Sequence, residues 1–187
     1  MAKDPDQITV GANGTVRVAP VGTTEPADIS ASYDAAWVDL GYTTEDGVTF
    51  KDAKTQEPIK VWQSFYPVRR IITERDFTAV FSLQQFAGAQ VEFAFGGGEV
   101  TEDSPGKFRF TPPDPSVIDE RAMAVDWTDG EKNYRLIMPR GMVTEAVETK
   151  VVRTTNQELP ITFSVNGSED TDPWYLLTDD PAYAEAT

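Results

Sequence analysis

The 187-residue chain contains no cysteine and no histidine. Without cysteine it can form no disulfide, thiolate metal site or thiol nucleophile, and without histidine it lacks the commonest general base and metal ligand. No apolar run approaches the roughly 18 residues of a membrane-spanning helix. The first residues, MAKDPDQITV, lack the basic-then-apolar order of a signal peptide, so we expect the chain to be made as a soluble cytoplasmic protein.

Positive charge is also scarce, with 16 Lys and Arg against 31 Asp and Glu, and a formal net charge of −15. The acidity is concentrated at the ends: residues 1–50 carry two basic and eight acidic residues, and residues 166–187 carry none and six. This balance argues against binding nucleic acid through phosphate neutralisation, which needs clustered Lys and Arg. It is compatible with DNA passing nearby, because a like-charged wall repels the phosphate backbone.

Sequence motifs for catalysis or cofactor binding are missing as well. The chain has no P-loop, no dinucleotide-binding glycine motif and no serine-hydrolase motif. Three acidic pairs are present, at Glu45/Asp46, Glu102/Asp103 and Glu169/Asp170. None has the ligand spacing of a calcium-binding loop, so surface turns explain them best. We therefore predict no catalytic, cofactor-binding or metal-binding residues.

The stretch from Ile59 to Phe86 carries the clearest structural pattern. Apolar residues alternate with polar ones from Phe77 to Leu83, which predicts a half-buried strand over 69–83. After Leu83 the apolar spacing becomes helical and Gly96-Gly97-Gly98 ends it, which predicts one short helix at about 83–95. Length and pattern together indicate a single domain of mainly β structure.

Alternation and turn residues predict the other strands. We expect them around Val16 and Val18 and at 36–42, 48–50, 108–110, 121–127, 134–138, 143–151 and 159–165. The polar stretches 43–66 and 96–106 are expected to be long loops. Because such loops are often functional, we predict that Ile59, Val61 and Trp62 contact a neighbouring subunit.

The acidic C-terminal stretch contains an apolar cluster, Trp174, Leu176 and Leu177. A solvated tail seldom keeps such a cluster, so we expect it to dock on a protein surface. Docking on its own domain and docking on a neighbouring subunit are both open, and we treat the three residues as inter-subunit contact candidates.

The phrase LGYTTEDGVTFKDAKTQEPIKVWQSFYPVRRIITERDFTAVFSLQQF at 40–86, the helix after it and ITFSVNG at 161–167 resemble the major tail (tail tube) proteins of long-tailed phages, particularly those of actinobacterial hosts. The likeness spans roughly residues 10–167. It implies a tail-tube-type β-sandwich or partial barrel with one short flanking α-helix, an extended N-terminal arm, a long inter-strand loop and a C-terminal extension. The expected division is a tail tube domain at 1–167, with its arm at 1–15, and an acidic extension at 168–187.

The resemblance also implies a function. Tail tube proteins are non-enzymatic, form rings of six that stack around a tape-measure protein, meet terminator and tail-tip proteins at the ends, and enclose the channel for DNA in the virion. The shared inner wall would be a closed β-barrel without free strand edges. By alternation, the lumen candidates are Glu74, Asp76, Thr78, Glu148, Thr162 and Ser164, which could face a lumen or simply solvent.

Two other classes of protein fit the same composition. One is a soluble carbohydrate- or protein-binding β-sandwich module, and the other is a hydrolase whose paired carboxylates come from distant strands. Self-assembly into rings or tubes separates the first interpretation from both, and nothing in the sequence singles out a carboxylate pair.

Overall fold

The computed structural model describes residues 5–145, 147–167 and 171–186, and these ranges are mainly β. Their strands and helix follow in chain order: β1 Asn13–Pro20, β2 Val38–Asp39, β3 Thr49–Ile59, β4 Arg69–Leu83, α1 Gly88–Ala94, β5 Glu99–Ser104, β6 Lys107–Thr111, β7 Arg121–Asp129, β8 Lys132–Val143, β9 Leu159–Val165 and β10 Tyr175–Thr178. Two short 3₁₀ segments, Pro5–Gln7 and Pro181–Ala186, lie near the ends.

One antiparallel sheet has the strand order β2-β1-β7-β8-β9-β4-β3. Strand β8 is shared between two groups of strands, because its residues 134–137 pair with β10 whereas its residues 141–143 pair with β9. A register shift on the β7 side, between Arg121 and Met123, marks a bulge beside this change of partner. The sheet therefore folds over at β8 and does not close into a barrel.

The core lies between the two halves of the folded sheet. Val16, Val125 and Leu136 from one half share a cluster with Phe81 and Phe163 from the other. In β4 and β9 the buried residues alternate with partly exposed ones, as expected for strands with one face in a core. The result is the predicted β-sandwich.

A second cluster covers the opposite face of β1, β7 and β8. Trp37 packs there against the strands, and the carboxylate of Asp126 is the centre of a polar network. Asp126 accepts hydrogen bonds from Tyr33 Oη (2.9 Å) and from Arg135 Nε (2.7 Å), and it pairs with Arg17. The Arg135 guanidinium also donates to the carbonyl oxygens of Asp28 and Ala31, at 3.0 and 2.9 Å. These bonds hold the irregular 21–37 segment on the sheet.

Several predicted elements are confirmed. Strand β4 has the predicted bounds, β9 matches 159–165, and β7 and β8 are joined at the predicted Asp129-Gly130 turn, where Gly130 has a φ of 61°. The helix is shorter than predicted and begins at Gly88. Residues just before it extend the sheet contacts instead, since the Gln84 backbone donates to Tyr42 O.

Two stretches predicted as loops are strands. Residues 51–58 belong to β3, which pairs with β4 along its whole length, and residues 99–104 form β5, which pairs with β6. Alternation could not reveal either strand, because both of their faces are largely exposed and no apolar period is needed. Conversely, residues 144–145 and 147–151 do not form the strand predicted at 143–151. Strand β8 ends at Val143, where pairing with β9 stops, and Ala146 lies outside the described residues.

Candidate assembly surfaces

Strands β3 and β4 extend well past the sandwich as a two-stranded ribbon. Beyond Phe50 and Phe77 the two strands pair with each other and with no other strand of the described residues. Residues 51–76, here named the projecting hairpin, are exposed along nearly their whole length. A two-stranded ribbon of this kind has little stability of its own in water. Its extension into solvent therefore points to a partner surface that covers it.

Aromatic stacking anchors the root of the projecting hairpin. The ring of Phe50 lies 6.2 Å from that of Phe77 and 6.0 Å from that of Trp127, between centroids. Phe77 in turn stacks on Trp174 at 4.6 Å, and Trp127 stacks on Tyr134 at 5.4 Å. The hairpin thus leaves the body from a packed base that joins both halves of the sandwich.

An ion pair between β3 and β4 links the two strands of the projecting hairpin close to the point where it leaves the sandwich. The Arg75 guanidinium donates two hydrogen bonds to the carboxylate of Asp52, at 3.0 and 2.8 Å, and Lys54 lies 3.4 Å from the same carboxylate. The bond from Arg75 holds the pKa of Asp52 below its ordinary value. Arg75 is therefore paired within its own hairpin and does not point into the sandwich interior.

The far end of the hairpin, residues 57–72, is here named the hairpin tip and carries the predicted contact residues. Ile59 and Val61 are partly exposed and Trp62 is 98% exposed. Phe65 and Tyr66 are also almost fully exposed, and sequence analysis missed both. The sequence does carry a signal for them, since the WQSFY run at 62–66 places three aromatic residues within five positions of a polar stretch.

The hairpin tip is ordered by its own hydrogen bonds. The Val68 N–H donates to Ile59 O at 2.9 Å and closes the loop. Inside it, the Ser64 hydroxyl donates to Tyr66 O at 2.9 Å and accepts from Tyr66 N at 3.1 Å. A loop held in one conformation loses less entropy on binding, so these bonds would lower the cost of any contact that the tip makes.

Most of the lumen candidates lie on one face of the sheet. Thr78 is opposite Ser164 on β9, and Thr162 is opposite Val80. Alternation continues this face along β4 to Asp76 and Glu74 on the projecting hairpin. Neighbouring side chains join the polar surface, since Thr162 Oγ1 donates to Glu145 Oε2 at 2.9 Å.

Glu148, the sixth lumen candidate, is not part of this face. It lies in the irregular segment after β8 and has no strand partner, because the strand predicted there is absent from residues 144–145 and 147–151. The alternation that suggested Glu148 belongs to a chain segment that is not extended in a sheet. The structure thus brings five of the six candidates together.

The C-terminal segment docks on its own domain. Residues 175–178 add a strand, β10, to β8, and Trp174 and Leu176 pack against the main core while Leu177 packs against the second cluster. This is the first of the two alternatives that the sequence left open, and a contact of these three residues with a neighbouring subunit stays a prediction. Backbone pairing with β8 decided the docking on its own domain, and residues 168–170 lie outside the described ranges.

Two aspartates hold the end of this segment. Asp180 is buried and accepts a hydrogen bond from the Tyr134 hydroxyl at 2.6 Å, with Lys132 Nζ at 3.3 Å. Asp179 accepts from the backbone and side-chain nitrogens of Asn133, both at 2.7 Å. Hydrogen bonding, from Tyr134 to Asp180 and from Asn133 to Asp179, lowers the pKa of both carboxyls.

An apolar groove lies at the other end of β4, between α1 and the β5–β6 ribbon. We name it the α1 groove; its walls are Phe86, Val91, Phe95, Val100, Phe108 and Phe110. Phe108 is 70% exposed there, and Phe95 contacts Phe110 with ring centroids 5.7 Å apart. The Glu92 carboxylate fixes the helix to the ribbon by accepting from Val100 N at 3.0 Å.

Glycine is required where α1 turns back into β5. Gly98 has a φ of 107°, and a Cβ there would lie 2.6 Å from Thr111 O and 2.7 Å from the ring of Phe110. Neither the backbone conformation nor the space admits a side chain. Gly98, in the run predicted as a helix stop, therefore also allows the chain to pass close to Phe110, which lines the groove.

Chemical sites are not evident in the described ranges. They contain no group of three or more Asp or Glu side chains arranged to hold a metal ion, and none of their helices is both long and apolar enough to cross a membrane. The exposed features are instead a projecting ribbon with an aromatic tip, a polar sheet face and an apolar groove. Exposed apolar features of this kind are typical of contact surfaces between protein chains.

The family model described as phage tail tube protein matches residues 1–187, so the chain belongs to the phage tail tube protein family. It is a structural protein of the virion tail, a role that calls for self-association and for other tail proteins as partners. None of the curated proteins compared with the chain matches it.

Proposed function

We propose that this chain assembles through its projecting hairpin into rings of six, which stack into the tube that conducts DNA into the host. The observation that carries the proposal is the hairpin itself. Strand β3 leaves the sandwich after Phe50 and β4 returns to it at Phe77. The hairpin tip between them exposes Trp62, Phe65 and Tyr66. Such a cluster in a soluble protein is typical of a contact surface.

The energetics support assembly through this element. An isolated ribbon is marginally stable, so coverage by a neighbouring copy stabilises the hairpin and the contact together. Each large aromatic side chain removed from water contributes on the order of 2 kcal/mol before ordering costs. Because every copy in a tube repeats the same contact, a modest gain at one hairpin is enough to sustain a long assembly.

The polar face of β4 and β9 is proposed to line the channel. It contains the carboxylates of Glu74 and Asp76 and the hydroxyls of Thr78 and Ser164, with Lys51 opposite Thr78. A wall that is polar and mainly acidic repels phosphate and prevents the duplex from adhering during ejection. A tape-measure protein would occupy this channel before DNA does, and terminator and tail-tip proteins would cap the tube.

The proposal is tested by electron microscopy of the purified chain and of a shortened hairpin. Thr55 lies opposite Glu74, so residues 56–73 can be replaced by an Asn-Gly turn that closes the ribbon at that pair. We expect tubes or rings from the wild type and a folded monomer from the shortened variant. Circular dichroism and thermal unfolding control for folding.

Two results would contradict the proposal. Tubes that form equally well from the shortened variant would show that the hairpin is not an assembly element. A wild-type chain that stays monomeric at high concentration and binds a glycan saturably would instead favour the carbohydrate-binding module.

A further inference from the structure

We infer that the hairpin tip of one copy docks in the α1 groove of the next copy, and this inference rests on the proposed self-assembly. The tip exposes an aromatic cluster that includes Trp62 and Phe65, and the groove exposes Phe108 between α1 and β6. Both surfaces expose large apolar side chains, and neither is covered by another element of the described chain.

The two surfaces cannot meet within one chain. Strand β4 runs from Arg69 at the tip to Leu83, and Phe86 of the groove follows three residues later. A strand rises about 3.3 Å per residue, so its 15 residues separate the two surfaces by roughly 45 Å. The hairpin tip and the α1 groove of one copy therefore contact two different neighbouring copies.

A contact of this kind is heterologous, because different patches meet on the two partners. Heterologous contacts propagate from copy to copy and give either closed rings or open helical assemblies. The geometry of one β4 strand thus provides the directional repeat that a ring or tube requires, without any second protein.

The charges of the two surfaces also favour a second copy of this chain as the partner. Residues 57–72 of the tip carry three basic residues, Lys60, Arg69 and Arg70, and one acidic residue, Glu57. None of the three cations has an ion-pair partner among the described residues. Residues 86–115, which contain the groove, carry five acidic and two basic residues. In a chain with a net charge of −15, the tip is a local positive patch, whereas the segment that contains the groove has a net negative charge.

A hydrogen bond and side-chain packing hold the walls of the groove in place. Val100 N is bonded to Glu92, Phe95 packs on Phe110, and Gly98 allows β5 to lie close against Thr111. The tip is held by the Ser64 and Val68 hydrogen bonds. Docking would therefore order few additional groups on either side, which lowers its entropic cost.

The absence of cysteine permits a direct cross-linking test. One chain carries Gln63→Cys in the tip, and a second chain, of different mass through a tag, carries Ala87→Cys in the groove, so Phe65 and Phe108 are both kept. A matched control replaces the second chain with Val151→Cys, an exposed apolar residue in the segment after β8. Under mild oxidation we expect the 63–87 heterodimer to form at least tenfold faster than the 63–151 heterodimer.

A second measurement uses chains blocked at one surface only. Phe65→Glu leaves the groove intact, and Phe108→Glu leaves the tip intact. Each alone should remain monomeric, whereas an equimolar mixture should form a dimer that does not grow, as measured by analytical ultracentrifugation. Both substituted side chains are exposed, so the fold is not expected to change.

Equal cross-linking rates for the two pairs, together with no dimer in the mixture, would overturn the docking. If wild-type tubes still form in that case, the proposed self-assembly stands and another surface receives the tip. If neither tubes nor the preferential cross-link is found, the proposed function falls with it.

Discussion

Trp174 stacks on Phe77, with ring centroids 4.6 Å apart and planes inclined by 20°. The contact joins the C-terminal segment to Phe77, the buried residue of β4 that lies next to the projecting hairpin. A segment that the sequence describes as an acidic extension is therefore part of the base from which the hairpin projects. The stability of the hairpin root and that of the C-terminal strand are expected to be coupled.

The first prediction follows from this stacking. Trp174→Ala should lower the free energy of unfolding by about 2–3 kcal/mol, since a half-buried aromatic ring and its stacking contact are lost. It should also increase hydrogen exchange at residues 175–178 and in the 50–54 and 74–78 root of the hairpin. Tyr183→Ala, which removes an exposed ring from the same segment, should do neither. Unchanged exchange in the hairpin root would show that the two elements are independent.

The second prediction concerns the network around Asp126. Asp126→Ala removes the carboxylate that pairs with Arg135, a residue that is only 8% exposed. Removing one partner of a largely buried pair should cost on the order of 2–3 kcal/mol, measured by urea denaturation. Asp46→Ala, which removes an exposed carboxylate, should cost less than 0.5 kcal/mol by the same measurement. Equal costs would mean that the network does not hold the 21–37 segment.

The third prediction is a dependence of the C-terminal contact on pH. The pKa values of Asp179 and Asp180 are lowered in the folded chain, from an ordinary value of 3.8, so the unfolded state binds more protons. Their stabilisation is complete above about pH 4 and is lost as the pH falls through the lower folded pKa values. The protection factors of residues 175–178, which compare hydrogen exchange with its intrinsic rate at the same pH, should therefore fall on acidification. Asp180→Asn should weaken this dependence; an identical pH profile in the variant would contradict it.

The fourth prediction tests the channel face. Glu74→Lys with Asp76→Lys, in an infectious particle, should give normal tails but slow or arrest DNA ejection, because each lysine adds attraction to phosphate at every ring. Higher salt should relieve the defect. The matched control, Glu45→Lys with Asp46→Lys, makes the same change in charge at an exposed turn. Normal ejection by the first variant would place Glu74 and Asp76 away from the channel.

Much of the fold was predictable wherever one face of a strand is buried. The alternation from Phe77 to Leu83 and that from Leu159 to Val165 located β4 and β9, because core burial imposes a period of two. The candidate site was predictable only in part. Trp62 was located by its isolation in a polar stretch, whereas Phe108 was counted only as a strand residue, since exposure depends on how α1 and β6 are placed.

By itself, the sequence determined the class of fold, the absence of cysteine and histidine chemistry, the excess of negative charge and the resemblance to tail tube proteins. Only the tertiary structure decided that residues 51–58 form a strand, because a ribbon exposed on both faces needs no apolar alternation and depends on its partner β4. It also decided that Trp174 packs in cis, because the free β8 edge at residues 134–137 lies within reach of β10. Backbone pairing between segments distant in sequence made both choices, and local residue patterns do not record it.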